Sequence, residues 1–261
     1  MSQATQLITQ DKIAAFVEAN LITPVNDIAV ARESIIAMSE IARSTMLLAF
    51  GSNPHYGYRN LVNFDPSLAL VNQKENKPTN DIVVEIHKEV WVKLSDLVKD
   101  LSPVTQYYFK NTYIRTDSAI RGLGAPNVEN INAILTKLEP VHEIALKMAK
   151  LKDSFEHLVG GGELQDKVKL KEGSMDEKAK LIADLASIHL ELLNHVQPIH
   201  HPKITICSAD SMLANVQGII NSKVGTESNV TDYCSIKVFA NGNIDLRFNW
   251  SFTFTYFKMI F

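Results

Sequence analysis

The sequence predicts an α+β fold, predominantly helical, with a C-terminal β-hairpin carrying a long aromatic strand. Three observations lead there. Before the C-terminus, apolar residues recur at the three-four spacing of buried helix faces. In the last stretch they switch to strict period two: Ile244, Leu246, Phe248, Trp250, Phe252, Phe254 and Tyr256 alternate with Asp245, Arg247, Asn249, Ser251, Thr253 and Thr255. Successive side chains of a strand leave opposite faces of the pleat, so this run reads as one half-buried strand. Ahead of it, Ile236 and Val238 start a shorter alternating run, and Ala240-Asn241-Gly242-Asn243 joins the two. Asn-Gly tolerates the positive φ angles of a tight hairpin turn.

The chain has 261 residues, 46% of them hydrophobic, and can bury a sizeable core. It reads as a single domain, 1–261, with a helical part at about 8–200 and a C-terminal α/β part at about 203–261. A net charge of −3 argues against a protein living by non-specific phosphate contacts. It is also too small for a mimic of DNA charge. Met1-Ser2-Gln3-Ala4 opens no secretory pattern, so Cys207 and Cys234 are expected as reduced thiols in a cytosol. No apolar run reads as a membrane span, and the many strands of an outer-membrane barrel are missing.

In order, Thr9 caps a short helix from Gln10 to Glu18 with Ile13, Phe16 and Val17 on one face. After Pro24, Ile28, Ala31, Ile35, Met38, Ala42, Thr45 and Ala49 form a stripe that predicts a helix from about Asn26 to Phe50. Residues 51–80 read as a loop. Within it Asn53-Pro54-His55-Tyr56 looks like a methyltransferase motif, but no βαβ unit precedes it. Asp81 to Leu101 is the next helix, with Val83, Ile86, Val90, Leu94, Leu97 and Leu101 inward and Pro103 as its stop. Asn127 then caps a long helical run, Val128 to Leu158, that Pro140 should kink or split. Gly160-Gly161-Gly162 closes it, and a charged linker follows. Ser174 and Glu177 form a capping box for a helix carrying Leu181, Leu185, Ile188 and Leu192. A short strand, Lys203 to Cys207, and a short helix, Asp210 to Lys223, lead through a polar turn to the hairpin.

Chemistry-bearing residues are few. Tyr107, Tyr108, Lys110, Tyr113, Arg115 and Arg121 mix rings and cations, as a surface that stacks bases and pairs phosphates does. An amphipathic segment with core aromatics and solvated cations has the same composition. His189, His195, His200, His201 and Cys207 cluster without the paired short spacings of a zinc site, so no metal is expected. Glu85, Glu89, Asp96 and Asp100 lie opposite the apolar stripe of their helix and read as solvated charges. Gly122-Leu123-Gly124 lacks the Lys-Ser/Thr of a phosphate loop, and no hydrolase elbow or zinc helix appears. No catalytic residue and no cofactor is identified.

Ile236-Lys-Val-Phe-Ala-Asn-Gly-Asn-Ile-Asp-Leu-Arg-Phe248 resembles the closing motif of domain-of-unknown-function family 4942, roughly hydrophobic-x-x-F-K-N-G-N-x-H-L-x-F. Trp91, Asn127-Val-Glu-Asn-Ile131 and Phe155-Glu-His-Leu158 follow that family's order of elements. Here Ala240 replaces the usual Lys and Asp245 the usual His, and an aromatic strand is read where the family continues as a helix. The resemblance implies a bacteriophage or mobile-element protein in the bacterial cytoplasm, in a setting that includes DNA methyltransferase domains. It implies no activity.

The expected role is an accessory protein that binds a host or phage protein. Phe252, Phe254, Tyr256, Phe257 and Phe261 are its expected contact residues, on a strand that is either central in the sheet or completes one with a partner or a second copy; intramolecular cover by the 128–158 helix is the alternative. A nucleic-acid-binding accessory using residues 107–121 is the alternative. An enzyme with an unrecognised site is the third reading, and no membrane partner is expected.

Overall fold

The computed structural model describes residues 8–50, 80–161, 164–165, 167–196, 204–248 and 253–261. These are mostly helical, with one four-stranded antiparallel sheet formed late in the chain, which bears out the α+β class. The described chain divides into two units, one drawn from Gln3–Leu97 and Thr112–Leu135, the other from Val98–Asn111 and Thr136–Phe261.

The first unit begins with α1 (Gln10–Val17), whose Thr9 hydroxyl accepts from the Lys12 amide at 3.4 Å. A single π-helical passage, Glu18–Ile22, leads into α2 (Thr23–Phe50). The chain therefore does not break at Pro24. Pro24 has no amide hydrogen to give, and the wider turn, closed by Thr23 N–H to Glu18 O, takes up the misfit. In α3 (Asn80–Lys99), Val90, Trp91 and Leu94 are buried, and the Trp91 indole donates to the Gly124 carbonyl at 2.9 Å. Gly124 adopts φ +72°, which lets the turn present that carbonyl. Asn127 caps α6 (Val128–Val159) by accepting from the Asn130 amide. Gln10 and Asn132 exchange side-chain hydrogen bonds at 2.9 and 3.1 Å, tying α1 to the start of α6.

The second unit contains α4 (Pro103–Tyr113) up to Asn111 and the remainder of α6 from Thr136. Short α5 (Asp117–Gly122), capped by Thr116, lies in the first unit. Pro140 is exposed and sits inside α6 without splitting it. At the centre is α7 (Met175–Val196), opened by the expected capping box. The Ser174 amide and hydroxyl both reach the Glu177 carboxylate, at 2.7 and 2.9 Å, and the Glu177 amide reaches the Ser174 hydroxyl. Lys178 is buried beside it and donates to the carbonyls of Lys171 (3.2 Å) and Gly242 (2.8 Å).

The sheet comprises β1 (Lys167–Leu170), β2 (Glu227–Thr231), β3 (Cys234–Val238) and β4 (Ile244–Phe248), in the order β1-β4-β3-β2. Val168, Leu170, Val230, Ile236, Val238, Ile244, Leu246 and Phe248 fill its buried face. The β3–β4 hairpin is the expected one, its turn using Gly242 at φ +81°. Preceding the sheet's middle strands, α8 (Ala209–Ser222) is capped by the Ser208 hydroxyl.

Three sequence expectations are overturned. Residues 204–207 form no strand; the Asn194 amide instead holds both backbone groups of Ile204, at 2.7 and 2.9 Å. The charged linker and the polar turn hold β1 and β2. The aromatic strand does not reach Tyr256, because Phe254–Lys258 is a helix, α9. Phe254, Phe257 and Phe261 also satisfy helical spacing, and packing decides between the periods. Phe257 stacks on Phe261 at 5.9 Å, Phe261 meets Phe155 at 4.8 Å, and Tyr256 meets Tyr107 edge-on at 5.0 Å.

Candidate functional site

Among the described side chains of the stripe expected to bury α2, none is buried. Ala31, Met38 and Thr45 from it are exposed, and Ile28 is half-buried. The side chains of Ile35, Ala42 and Ala49 lie outside the described residues. Val30, Met38 and Ile41 are 63%, 69% and 66% exposed. Val30, Ser34, Ala37, Ile41 and Ser44 succeed one another at four-three-four-three spacing, which places them on one side of the helix, and all are exposed. Ser34 turns its hydroxyl onto the Val30 carbonyl at 2.9 Å, so the middle of this strip presents little polarity outward. Exposed Glu33 and Glu40 flank one edge and Met38 the other. Large apolar side chains grouped in this way mark contact surfaces more often than isolated ones do.

Gln10–Ala31, continuous through the π-turn, is long and apolar enough to cross a membrane by length and composition alone. The sequence, broken at Pro24, did not suggest that length. Glu18 and Asp27 lie within it, and a charged side chain there would cost about 2.5–3.5 kcal/mol at the centre of a bilayer.

The basic and aromatic residues of 107–121 are divided between the units. In the second, Tyr107 packs on Tyr256, Tyr108 is buried with its hydroxyl donating to the His195 carbonyl at 3.4 Å, and Lys110 is exposed. In the first, Tyr113 is half-buried and Arg115 and Arg121 are exposed. Arg121 borders a cleft of about 400 Å³ with His87, Lys88 and Trp91, where Lys88 is held by Glu85 (2.8 Å) and Asp117 (3.2 Å). Of the expected strand contacts, Tyr256 and Phe257 are buried, Phe254 and Phe261 are half-buried, and Phe252 lies outside the described residues. The strand edge on which they were to meet a partner is replaced by α9.

Among the described residues of the expected histidine cluster, no convergence is found. His189 is fully buried, 2.8 Å from the Thr253 hydroxyl and edge-on to Phe248 at 5.2 Å; burial lowers its pKa to about 4. His195 and Cys207 are exposed, and His200, His201 and Asn53–Tyr56 lie outside the described residues. Among the described residues no group of three His, Cys, Asp or Glu could hold a metal ion. A cleft of about 390 Å³ between α6 and α7 gathers Ser154, His157, Lys180 and Asp184. Burial raises the Asp184 carboxyl, with Lys180 opposing it. Among the described residues no hydrogen bond links these groups into a nucleophile–base pair. What sequence reasoning missed is the open side of α2, because periodicity gives the direction of a stripe and not what lies against it.

No protein-family model, curated protein or solved structure matches the chain.

Proposed function

We propose that this is a phage or mobile-element accessory protein that acts by binding a host or phage protein in the bacterial cytoplasm, through the exposed side of α2. The observation supporting it is the exposure of Val30, Met38 and Ile41 on one helix. Burying side chains of this size stabilises an interface by about 1.5–3 kcal/mol each. The four-three spacing suits a partner helix laid along α2, with Ser34 and Ala37 allowing close approach. In that register Glu33 and Glu40 occupy the flanking position that pairs across a coiled-coil seam. A second copy in parallel would set them against Met38 and Thr45, leaving the carboxylates without counter-charge. A partner helix with Lys or Arg at those positions supplies it. The phage or mobile-element setting rests separately on the motif at Ile236–Phe248.

The test is affinity capture from infected and uninfected cells, with and without nuclease, using the natural chain and a Val30→Asp/Ile41→Asp variant. A nuclease-resistant partner held by the natural chain and lost by the variant is expected, with the two baits melting alike. Equal recovery by both baits, or no partner, overturns the proposal. A dimeric mass abolished by the variant gives the surface to a second copy instead.

A further inference from the structure

The other face of the sheet exposes Lys167, Lys169, Arg247, Glu227 and Asn229, and strand register sets its charges in two rows. Lys169, Asp245, Lys237 and Glu227 lie side by side across β1, β4, β3 and β2; Lys167, Arg247, Ser235 and Asn229 form the next row. Both carboxylates are committed. Asp245, 5% exposed, holds Lys167 at 2.6 Å. Glu227 takes Arg247 at 3.4 Å and the Ser235 hydroxyl at 2.7 Å. That leaves Lys169 and Lys237 with no carboxylate at ion-pair distance among the described residues. Each instead lies over the ring of Phe239, at 5.6 and 5.5 Å from its centre. Four cations against two carboxylates give this face a charge of +2, on a chain whose net charge is −3.

We propose that this face binds single-stranded nucleic acid, with a base stacked on Phe239 and the phosphates on either side of it taken by Lys169 and Lys237. The half-buried ring is fixed at the end of β3, where the hairpin turn holds the Phe239 amide to the Asn243 carbonyl at 2.9 Å. Lysine ammoniums resting on a ring are flexible and strongly hydrated, so each has only to swing from ring to phosphate. Stacking needs a base free of its own neighbours, which a single strand offers and a duplex does not. An acidic peptide would use the lysines but leave the ring without a role. The site differs from residues 107–121 and is independent of the α2 reading, so the two proposals fail separately.

The test is fluorescence anisotropy of the full chain with labelled twelve-nucleotide dT, dA, rU and rA strands, and with a twelve-base-pair duplex. Binding should weaken as salt rises, with a log–log slope of about −1.4 if two phosphates are engaged and about −2.8 if all four cations take part. Lys169→Glu/Lys237→Glu should abolish binding, and Phe239→Ala should weaken it about tenfold. Glu227→Gln, which removes a charge from an exposed position, should tighten it severalfold, an effect that damage to the fold cannot imitate. Thermal melts of each variant accompany the titrations. Absence of binding to any strand at 25 mM salt overturns the proposal. So does unchanged binding by a stably folded lysine variant, or loss that follows Lys110→Gln/Arg115→Gln/Arg121→Gln instead. Duplex bound as tightly as single strand overturns the stacking role of Phe239. The dT–rU and dA–rA pairs distinguish DNA from RNA.

Discussion

Helices α2 and α7 start from similar material and end in opposite surroundings. Each is more than five turns long with an apolar stripe, and each carries several charged residues. In α7 nearly all the way round is covered. Leu181, Ile182, Leu185, Ile188, Leu192 and Leu193 are buried, and even Lys178 and His189 are inside with polar partners. In α2, among the described residues, Val30, Met38 and Ile41 remain in water. The difference lies in neighbours. The second unit surrounds α7 with α6, α8 and the sheet, whose turn and last strand supply Gly242 and Phe248 as contacts. Among the described residues α2 has no such set of neighbours, and its open side is the candidate contact surface.

The comparison breaks first, and most strongly, in the interior of α7. Leu192 is 0% exposed, so Leu192→Ala removes packed methyl groups and leaves a cavity. Such truncations cost about 2–5 kcal/mol. Urea titration should show the midpoint fall with an unchanged slope. A loss below about 1 kcal/mol would mean that α7 is not the packed centre of its unit.

The second difference is pH-dependent. His189 has its pKa lowered to about 4 from an ordinary 6.5, by burial. Above pH 6.5 it is neutral in both the folded and the unfolded chain and contributes no pH dependence. Between about 6.5 and 4 the unfolded chain takes up a proton that the folded chain refuses, so stability falls as pH falls; below about 4 the loss stops. The fully developed loss is about 3 kcal/mol. His142, buried in α6 with neither ring nitrogen hydrogen-bonded among the described residues, has its pKa lowered by burial too and adds to the same trend. Denaturation at pH 7 and pH 4.5, in the natural chain and in His189→Gln, separates the two. A variant with the same pH dependence as the natural chain would remove His189 as the cause.

How much of this was legible depends on how far apart the interacting residues lie. The Ser174–Glu177 box, the Thr9 cap and the Asn241-Gly242 turn are local, and the sequence showed each of them. Strand β1 was not legible: Lys167-Val-Lys-Leu170 is four residues long, reads as a charged linker, and becomes a strand by pairing with β4, 74 residues on at its closest partners, Leu170 and Ile244. Residues 254–261 fit two periods, and contacts with Tyr107 and Phe155 chose the helical one. The triad of Lys169, Lys237 and Phe239 was hidden for the same reason as β1, since only the β1-β4-β3 register brings Lys169 beside the other two.

The smallest expected effect is the sharpest test of the contrast. At 63% and 69% exposed, Val30 and Met38 have little left to lose on truncation in the isolated protein. Val30→Ala and Met38→Ala should each change unfolding free energy by less than about 0.5 kcal/mol, the range of ordinary surface substitutions. Alanine is also the better helix former, which offsets part of any loss at Val30. With a captured partner present, the same substitutions should weaken binding, since truncating a central interface residue costs about 1 kcal/mol or more. Stability and binding therefore move apart at α2, whereas at Leu192 a packing defect lowers stability whether or not a partner is present. A loss above about 2 kcal/mol for Val30→Ala in the isolated chain would mean that the chain itself covers this side of α2. The apparent opening would then be intramolecular packing, and the proposed partner would have no surface to bind.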